Sequence, residues 1–400
     1  MKLLIINYLV LPLPPVKGGA VENLIDMFIQ DNEETHTHDI TVYSIYDEKA
    51  KIASNKYKHC TFNYIKMDSF KDKINTGIRH LINRIPNVYT GNNYIMKVKK
   101  ELLSEGDLSE YDAIIIENAP EFGLILRKLY KGKLILHLHN DSLNKSTKLA
   151  GEILNSYDSV FALSDFVGNR VKSIRNSEKI HTLYNGIDLK RFNRKIYNTK
   201  EIRQELGVED KDTVILFSGR LVPEKGVKEL LNAYTCIPNR KNIKLLIMGS
   251  SKYGDTIVDE YYRELWNIAK PLCDEIKFLG YVPYEDVPKI YSIADVGIVP
   301  SLCNDGFNLT VVELMANEVP VIISDQGAMK EIINNDCGIV VNYSNKFVEN
   351  LSTSIEIILN NKKTRVEMGS ASLRQAQKFD KSIYCNRFNF LLNNVNEGNI

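Results

Sequence analysis

The sequence predicts an α/β protein made of two doubly wound, Rossmann-like domains. Three observations carry that expectation. The chain has 400 residues, more than one core usually organises at roughly 100–200 residues per domain. Short runs of Val, Ile and Leu, apolar on both faces, alternate with stretches long enough for helices, as in a parallel sheet covered on both sides. The series runs twice, and the polar stretch FNRKIYNTKEIRQELGVEDKD at 192–212 separates the two before TVILFSG begins a fresh strand.

In the first half, strands are expected at 3–7, 40–45, 62–67, 113–117, 133–139, 159–163 and 181–184. In the second half they are expected at 214–218, 244–248, 276–279, 296–299, 319–324 and 338–341. A helix begins near Ala20 after the first strand, and KEIRQELG reads as a short helix closed by Gly207. Residues 382–394 are aromatic and apolar at helical spacing. The domains are therefore placed at 1–193 and 213–379, with 194–212 as a linker.

With 51 basic and 50 acidic residues, the net charge of +1 gives no whole-protein field for nucleic acid, and no nucleic-acid partner is expected. The apolar opening lasts about a dozen residues before its prolines and Lys-Gly-Gly, too short to span a bilayer, and a cytoplasmic protein is expected. The six cysteines, at 60, 236, 273, 303, 337 and 385, form no C-x-x-C pair. Neither a disulfide framework nor a zinc site is expected, and lone cysteines of this kind read as small buried apolar residues.

In open α/β sheets ligands bind beyond the carboxyl ends of the strands, so the residues after each strand are the candidates. After the first strand comes PPVKGGAVENLIDMFIQ. Gly18 and Gly19 there allow close backbone approach, and the following helix points its amide end at the same place. That suits a phosphate, although the pair can also simply turn the chain, and the loop is too long for a dinucleotide fingerprint. In SGRLVPEKGVKELLNAY, Arg220 and Lys225 offer a fork and a point charge, a pair suited to a diphosphate. Cations at a helix start oppose the helix dipole, which favours an anion over two merely solvated charges. In PSLCNDGFNLTVVELMANEVPVIISD, Asp305 lies in a loop and Glu313 about one turn into a helix from Leu309. Carboxylates suit sugar and ribose hydroxyls, and the amides of Phe307, Asn308 and Leu309 suit phosphate oxygens. A capping Asp with a surface Glu is the alternative for either acid alone. His137 and His139 alternate at a strand end and so share one side. One of them can be a core histidine, and His139, leading into Asn140 and Asp141, is the better ligand candidate.

Together with HLHND at 137–141, NGIDLKRF at 185–192 and FLGYVPYEDVPKIYSIADVGIVPS at 278–301, these motifs resemble the retaining GT-B glycosyltransferases of family four, especially bacterial polysaccharide-assembly enzymes. The similarity extends over essentially the whole chain. It implies two Rossmann-like domains facing an interdomain cleft, with a helix at about 380–400 returning to the first domain. It implies transfer of a sugar, with retention, from a nucleoside-diphosphate sugar (UDP- over GDP-) to a hydroxyl of a polysaccharide or lipid-linked glycan. By the same resemblance Arg220 and Lys225 neutralise the diphosphate, Glu313 holds the ribose hydroxyls and Asp305 the donor sugar's hydroxyls. The backbone at Val282 meets the base, the loop at Gly18 and Gly19 closes over donor phosphate and acceptor, and His139 lies beside the donor sugar. His139, Arg220, Lys225 and Asp305 form the implied catalytic set.

Two positions depart from the family pattern: Asp305 replaces the usual Glu, and Asn308 the usual Gly, although Asn tolerates left-handed dihedrals. The cations can replace a metal, so neither metal nor cofactor is expected. The D-x-D at Asp210-Lys211-Asp212 precedes a strand and reads as solvated linker charge. A sugar-nucleotide epimerase of the same fold and a noncatalytic GT-B partner subunit are the alternatives. Residues 66–100 carry eight Lys/Arg against two Asp, and KDKINTGIRHLINRI puts Ile74, Ile78, Leu81, Ile82 and Ile85 on one helical face. Such a helix can lie on an anionic membrane or pack on the first sheet. The resemblance favours peripheral contact with the inner face of the cell membrane.

Overall fold

Thirteen strands form in the computed structural model, which describes residues 1–8, 10–67, 69–251 and 259–399. In the first half they are β1 (Lys2–Ile6), β2 (Asp39–Ile45), β3 (Cys60–Ile65), β4 (Ala113–Glu117), β5 (Lys133–Leu138), β6 (Ser159–Ala162) and β7 (Ile180–Thr182). In the second they are β8 (Thr213–Ser218), β9 (Ile243–Met248), β10 (Ile276–Gly280), β11 (Val296–Val299), β12 (Val321–Ser324) and β13 (Gly338–Val341). Two sheets result, ordered β3-β2-β1-β4-β5-β6-β7 and β10-β9-β8-β11-β12-β13. All their pairings are parallel. Because helices cover both faces, the central strands are buried on both sides, as in the all-buried AIIIE of β4. Strand order reverses at β1/β4 and again at β8/β11. Those two switch points are where a doubly wound sheet opens a crevice beyond its strand ends.

By its internal contacts the chain divides into Met1–Gly186 with Ser382–Ile400, and Ile187–Lys381. The boundary therefore falls at 186/187, not near 193, and residues 194–212 are not a free linker. They pack on the second unit. Ile202 of the helix Thr199–Glu205 is buried, Arg203 donates to the carbonyl of Ile293 at 3.3 Å, and Arg191 donates to the carbonyl of Tyr284 at 3.0 Å. Asp212 is likewise not solvated: it is buried, and its Oδ2 accepts from the Glu209 amide at 2.8 Å.

Residues from Ser382 onward, in the helix Lys381–Glu397, belong to the first unit. They bring Tyr384, Phe388, Leu391, Leu392 and Val395 into a core shared with Leu24, Phe28, Ile135 and Phe161. The Phe388 ring centre lies 4.4 Å from that of Phe28 and 5.3 Å from that of His137.

Cys60, Cys337 and Cys385 are buried, whereas Cys236 and Cys273 are exposed, so the expectation of uniformly buried thiols holds only in part. The helix Phe70–Ile82 leaves Ile74, Ile78 and Leu81 at 47%, 50% and 64% exposure, with Ile85 beyond it at 52%. Its apolar face is therefore not packed on the first sheet. Within the basic segment, Lys97 is paired with Asp72 at 2.7 Å; Asp68 and the side chain of Lys71 lie outside the described residues. Among those residues no helix is long and apolar enough to cross a membrane.

Candidate active site

The loops after β8 and β11 meet at the second unit's switch point. Gly226 starts the helix Val227–Thr235 at φ 72°, and a Cβ there would lie 2.0 Å from the carbonyl oxygen of Pro300. Only glycine lets the two loops approach this closely. The Leu302 amide ties them further, donating to the Glu224 carbonyl at 2.8 Å. Lys225 and Asp305 are thereby brought together across the switch. Lys225 Nζ lies 2.8 and 2.9 Å from the two Asp305 oxygens, which also accept from Ser301 Oγ at 3.0 Å and Asn308 Nδ2 at 2.9 Å. The Asp305 carbonyl accepts from the Ala328 amide at 2.8 Å, which fixes the loop from its other side.

Asn308 caps the helix Leu309–Ala316 at φ −100°, so its tolerance of left-handed geometry is not used. Its amide group serves Asp305 instead. Phe307 rests edge-on against Phe379. Arg220 stands apart from this cluster: its side chain is 57% exposed and lies 3.5 Å from Glu224. The two cations are thus held differently, one docked on a carboxylate and one extended into solvent.

Glu313 does not join Asp305. It is buried, with Oε1 accepting from Tyr284 Oη at 2.9 Å, and Tyr291, itself donating to Ser218 Oγ at 2.7 Å, lies beside it. Burial pushes the Glu313 carboxyl up to about 7, against the opposing pull of Tyr284, Arg191 and Tyr291. Arg191 sits 4.6 Å over the Tyr284 ring and closes this pocket wall. Val282 is half-buried in the loop that leaves β10 through Gly280, at φ 71°.

In the first unit, Gly18 and Gly19 adopt φ 73° and 106° between β1 and the helix Ala20–Thr35. A Cβ on Gly19 would lie 2.2 Å from Glu22 Oε2, so the glycine makes room for a buried carboxyl. Burial lifts that carboxyl to about 7. At the carboxyl ends of β4 and β5, Glu117, His137 and His139 bring one ligand atom each to within 4.8 Å of the others, the one group among the described residues spaced to hold a cation. Glu117 Oε2 lies 2.8 Å from His139 Nε2 and 3.0 Å from His137 Nδ1. Those are hydrogen-bonding separations, shorter than the roughly 3.3 Å between ligands of a tetrahedral zinc. Only the His139 contact has hydrogen-bond angles; His137 Nδ1 makes no hydrogen bond despite its proximity.

Residues 198–375 match the family model described as glycosyl transferases group 1. Spore coat protein SA of Bacillus subtilis is 25% identical over 94% of this chain and 95% of its own length. The lipopolysaccharide 1,2-N-acetylglucosaminetransferase of Salmonella typhimurium is 25% identical over 60% of each chain. Among solved structures, Anabaena Alr3699/HepE in complex with UDP aligns with TM-score 0.75 and 19% identity, over 98% of this chain and 100% of that one. The fold is that of the GT-B glycosyltransferases, and most of the second unit matches the group 1 family model.

Several groups at these sites are not singled out by the sequence. Glu22, Glu117, Tyr284, Arg191 and Ser301 all contact or lie beside the candidate residues; all but Glu117 stand inside the quoted motifs, with nothing in the spacing to assign them a partner. Glu117 carried one usable signal: an acid closing an otherwise apolar strand, in register opposite His137 of β5. Glu313 also sets a pH dependence. Its folded pKa lies above the ordinary carboxyl value of 4.5, so the stability of keeping it neutral is complete below about pH 4.5 and lost as pH rises through about 7. Wild type is therefore expected to lose stability relative to Glu313→Gln between about pH 5 and 8. Urea unfolding followed by Trp266, the chain's single tryptophan and a residue of the second unit, reads this directly. A difference that stays flat with pH refutes it.

Proposed function

We propose that the protein transfers a sugar, with retention, from a nucleoside diphosphate to a hydroxyl of a polysaccharide or lipid-linked glycan, and needs no metal ion. UDP is favoured over GDP. The observation that carries this reading is the juxtaposition of Lys225, Asp305 and the helix start at Asn308 across the β8/β11 switch point. As the anomeric carbon–phosphate oxygen bond breaks, negative charge grows on the diphosphate. Lys225 and the amides of Phe307, Asn308 and Leu309 are the donors proposed for it, with Arg220 turning in from solvent. Asp305 takes sugar hydroxyls, Glu313 the ribose, and the backbone at Val282 the base. Gly18, Gly19 and His139 serve the sugar and acceptor side. The acceptor oxygen bonds to the same face of the anomeric carbon, and its proton passes to the departing phosphate oxygen.

A thermal-shift screen of UDP- and GDP-sugars in EDTA tests the donor. A ligand at 100 times its Kd stabilises the folded state by about 2.7 kcal/mol. Nucleotide release that requires added glycan acceptor then separates transfer from epimerisation and from a noncatalytic subunit. If no nucleotide sugar shifts the melting curve, the donor reading falls.

We also propose that the helix Phe70–Ile82 rests on the anionic cytoplasmic face of the cell membrane. Exposed Ile74, Ile78 and Leu81 beside exposed Lys73 and Arg84 support this. Sedimentation with phosphatidylglycerol vesicles is expected to be salt-sensitive and to be abolished by Ile78→Glu with Leu81→Glu. Equal binding by the double variant removes the assignment.

A further inference from the structure

Glu117 closes β4 and His139 follows β5 directly, on the side of the first sheet where the β1/β4 switch opens. Their side chains are 1% and 2% exposed, and His139 Nε2 stands 2.8 Å from Glu117 Oε2. Against the push of burial, the neighbouring His137 and His139 hold the Glu117 carboxyl down to about 2, and an ionised carboxylate can only accept, so the hydrogen on that line belongs to Nε2. A neutral imidazole has a single ring proton, which leaves Nδ1 a bare acceptor. Burial, reinforced by neighbouring His137, pushes the His139 pKa down to about 4 and keeps the second proton off.

The backbone is fixed with the same care. The His139 amide donates to Asn118 Oδ1 at 3.1 Å. Asn118, left-handed at φ 51°, donates its own amide to the His137 carbonyl at 2.8 Å. Despite this anchoring, Nδ1 of His139 is buried and has no hydrogen-bond partner among the described residues. A histidine kept only for packing has no use for a tautomer that leaves its buried acceptor unmatched.

We propose that Glu117 is a positioning residue: it locks His139 as the Nε2-protonated tautomer and so presents Nδ1 as the acceptor for a sugar hydroxyl. This rests on the proposed sugar transfer and names a residue that acts through the histidine. His137 plays a different part. Its ring meets those of His139 and Phe388 at a tilt, 4.1 and 5.3 Å between centres, and so packs the pair against the core.

Two-bond proton–nitrogen spectra of the full chain labelled with 15N-histidine test the lock without any substrate, His139→Gln giving the assignment. His139 is expected to show a protonated Nε2 and a bare Nδ1 from about pH 5 to 8, consistent with its depressed pKa. A proton on Nδ1, or none on either nitrogen as in a metal shell, overturns the proposal. On adding UDP-glucose and GDP-mannose in turn, the Nδ1 resonance is expected to move with whichever one raises the melting temperature; if it stays fixed, the hydroxyl assignment is wrong. Glu117→Gln is expected to mix the tautomers and lower kcat/KM about tenfold at an unchanged donor-free melting temperature. Glu117→Asp should restore the Nε2-protonated signal in part. Wild-type kcat/KM in Glu117→Gln overturns the positioning role while leaving glycosyl transfer intact. If wild type transfers no sugar at all, the parent reading fails, and the substrate-free spectrum still decides the tautomer.

Discussion

Lys225→Ala is expected to lower kcat/KM for glycosyl transfer by about 10²–10³, or roughly 2.7–4 kcal/mol of barrier. In the proposed reaction the side chain supplies a point charge where the departing diphosphate gains its own, and an oriented cation in a partly desolvated site acts on the transition state more than on the ground state. Its bond to Asp305 contributes little to folding by comparison. With the two side chains 20% and 17% exposed, that pair is worth about 1 kcal/mol at most after solvent screening. Asp305 also keeps Ser301 and Asn308 as partners when the lysine is gone. Activity should therefore collapse while the Trp266 unfolding curve barely moves. Activity within threefold of wild type would falsify the diphosphate role, and a large shift in unfolding would mean that the lysine is structural. Lys225→Arg separates charge from geometry, because a planar fork cannot reproduce a compact ammonium between the two Asp305 oxygens.

The second large effect is on folding. Phe388→Ala is expected to destabilise the first unit by about 3–5 kcal/mol, the cost of emptying an aromatic site that surrounding groups cannot refill. The ring is 1% exposed and is packed by Phe28, His137, Phe161 and Tyr384. Collapse into the gap is resisted because the partners sit on a strand, a strand end and two helices of one closed core. In urea the variant should lose helical ellipticity well before Trp266 responds. Coincident, equally shifted transitions would show that the two units do not unfold separately.

The strand pattern was legible because doubly covered strands must be apolar on both faces, and LLII of β1 or AIII of β4 can hardly be read otherwise. Strand ends were less so. The edge strand β3 begins at Cys60 instead of 62, since Thr61 and Asn63 dilute the apolar run on a half-covered edge. The domain boundary was misplaced for a related reason: one buried Ile202 holds down a helix whose other residues are polar or charged. Site residues following a strand could be found from topology alone, which is how Arg220, Lys225, Asp305 and Glu313 were reached. Pairings between distant loops could not. Nothing local says that Lys225 docks on a carboxylate 80 residues away, or that Glu313 faces Tyr284 while Asp305 does not.

The core of the first unit is completed by residues made only after the whole of the second. Residues 1–186 emerge from the ribosome with the places of Phe388, Leu391 and Leu392 still open. At about 5–20 residues per second, synthesis of 187–381 adds roughly 10–40 s before the closing helix arrives. The second unit is continuous and can fold during that interval. Completion of the first unit thus follows synthesis of the second, and the first sheet, with all seven strands present but without its closing helix, is the nascent species a chaperone would meet.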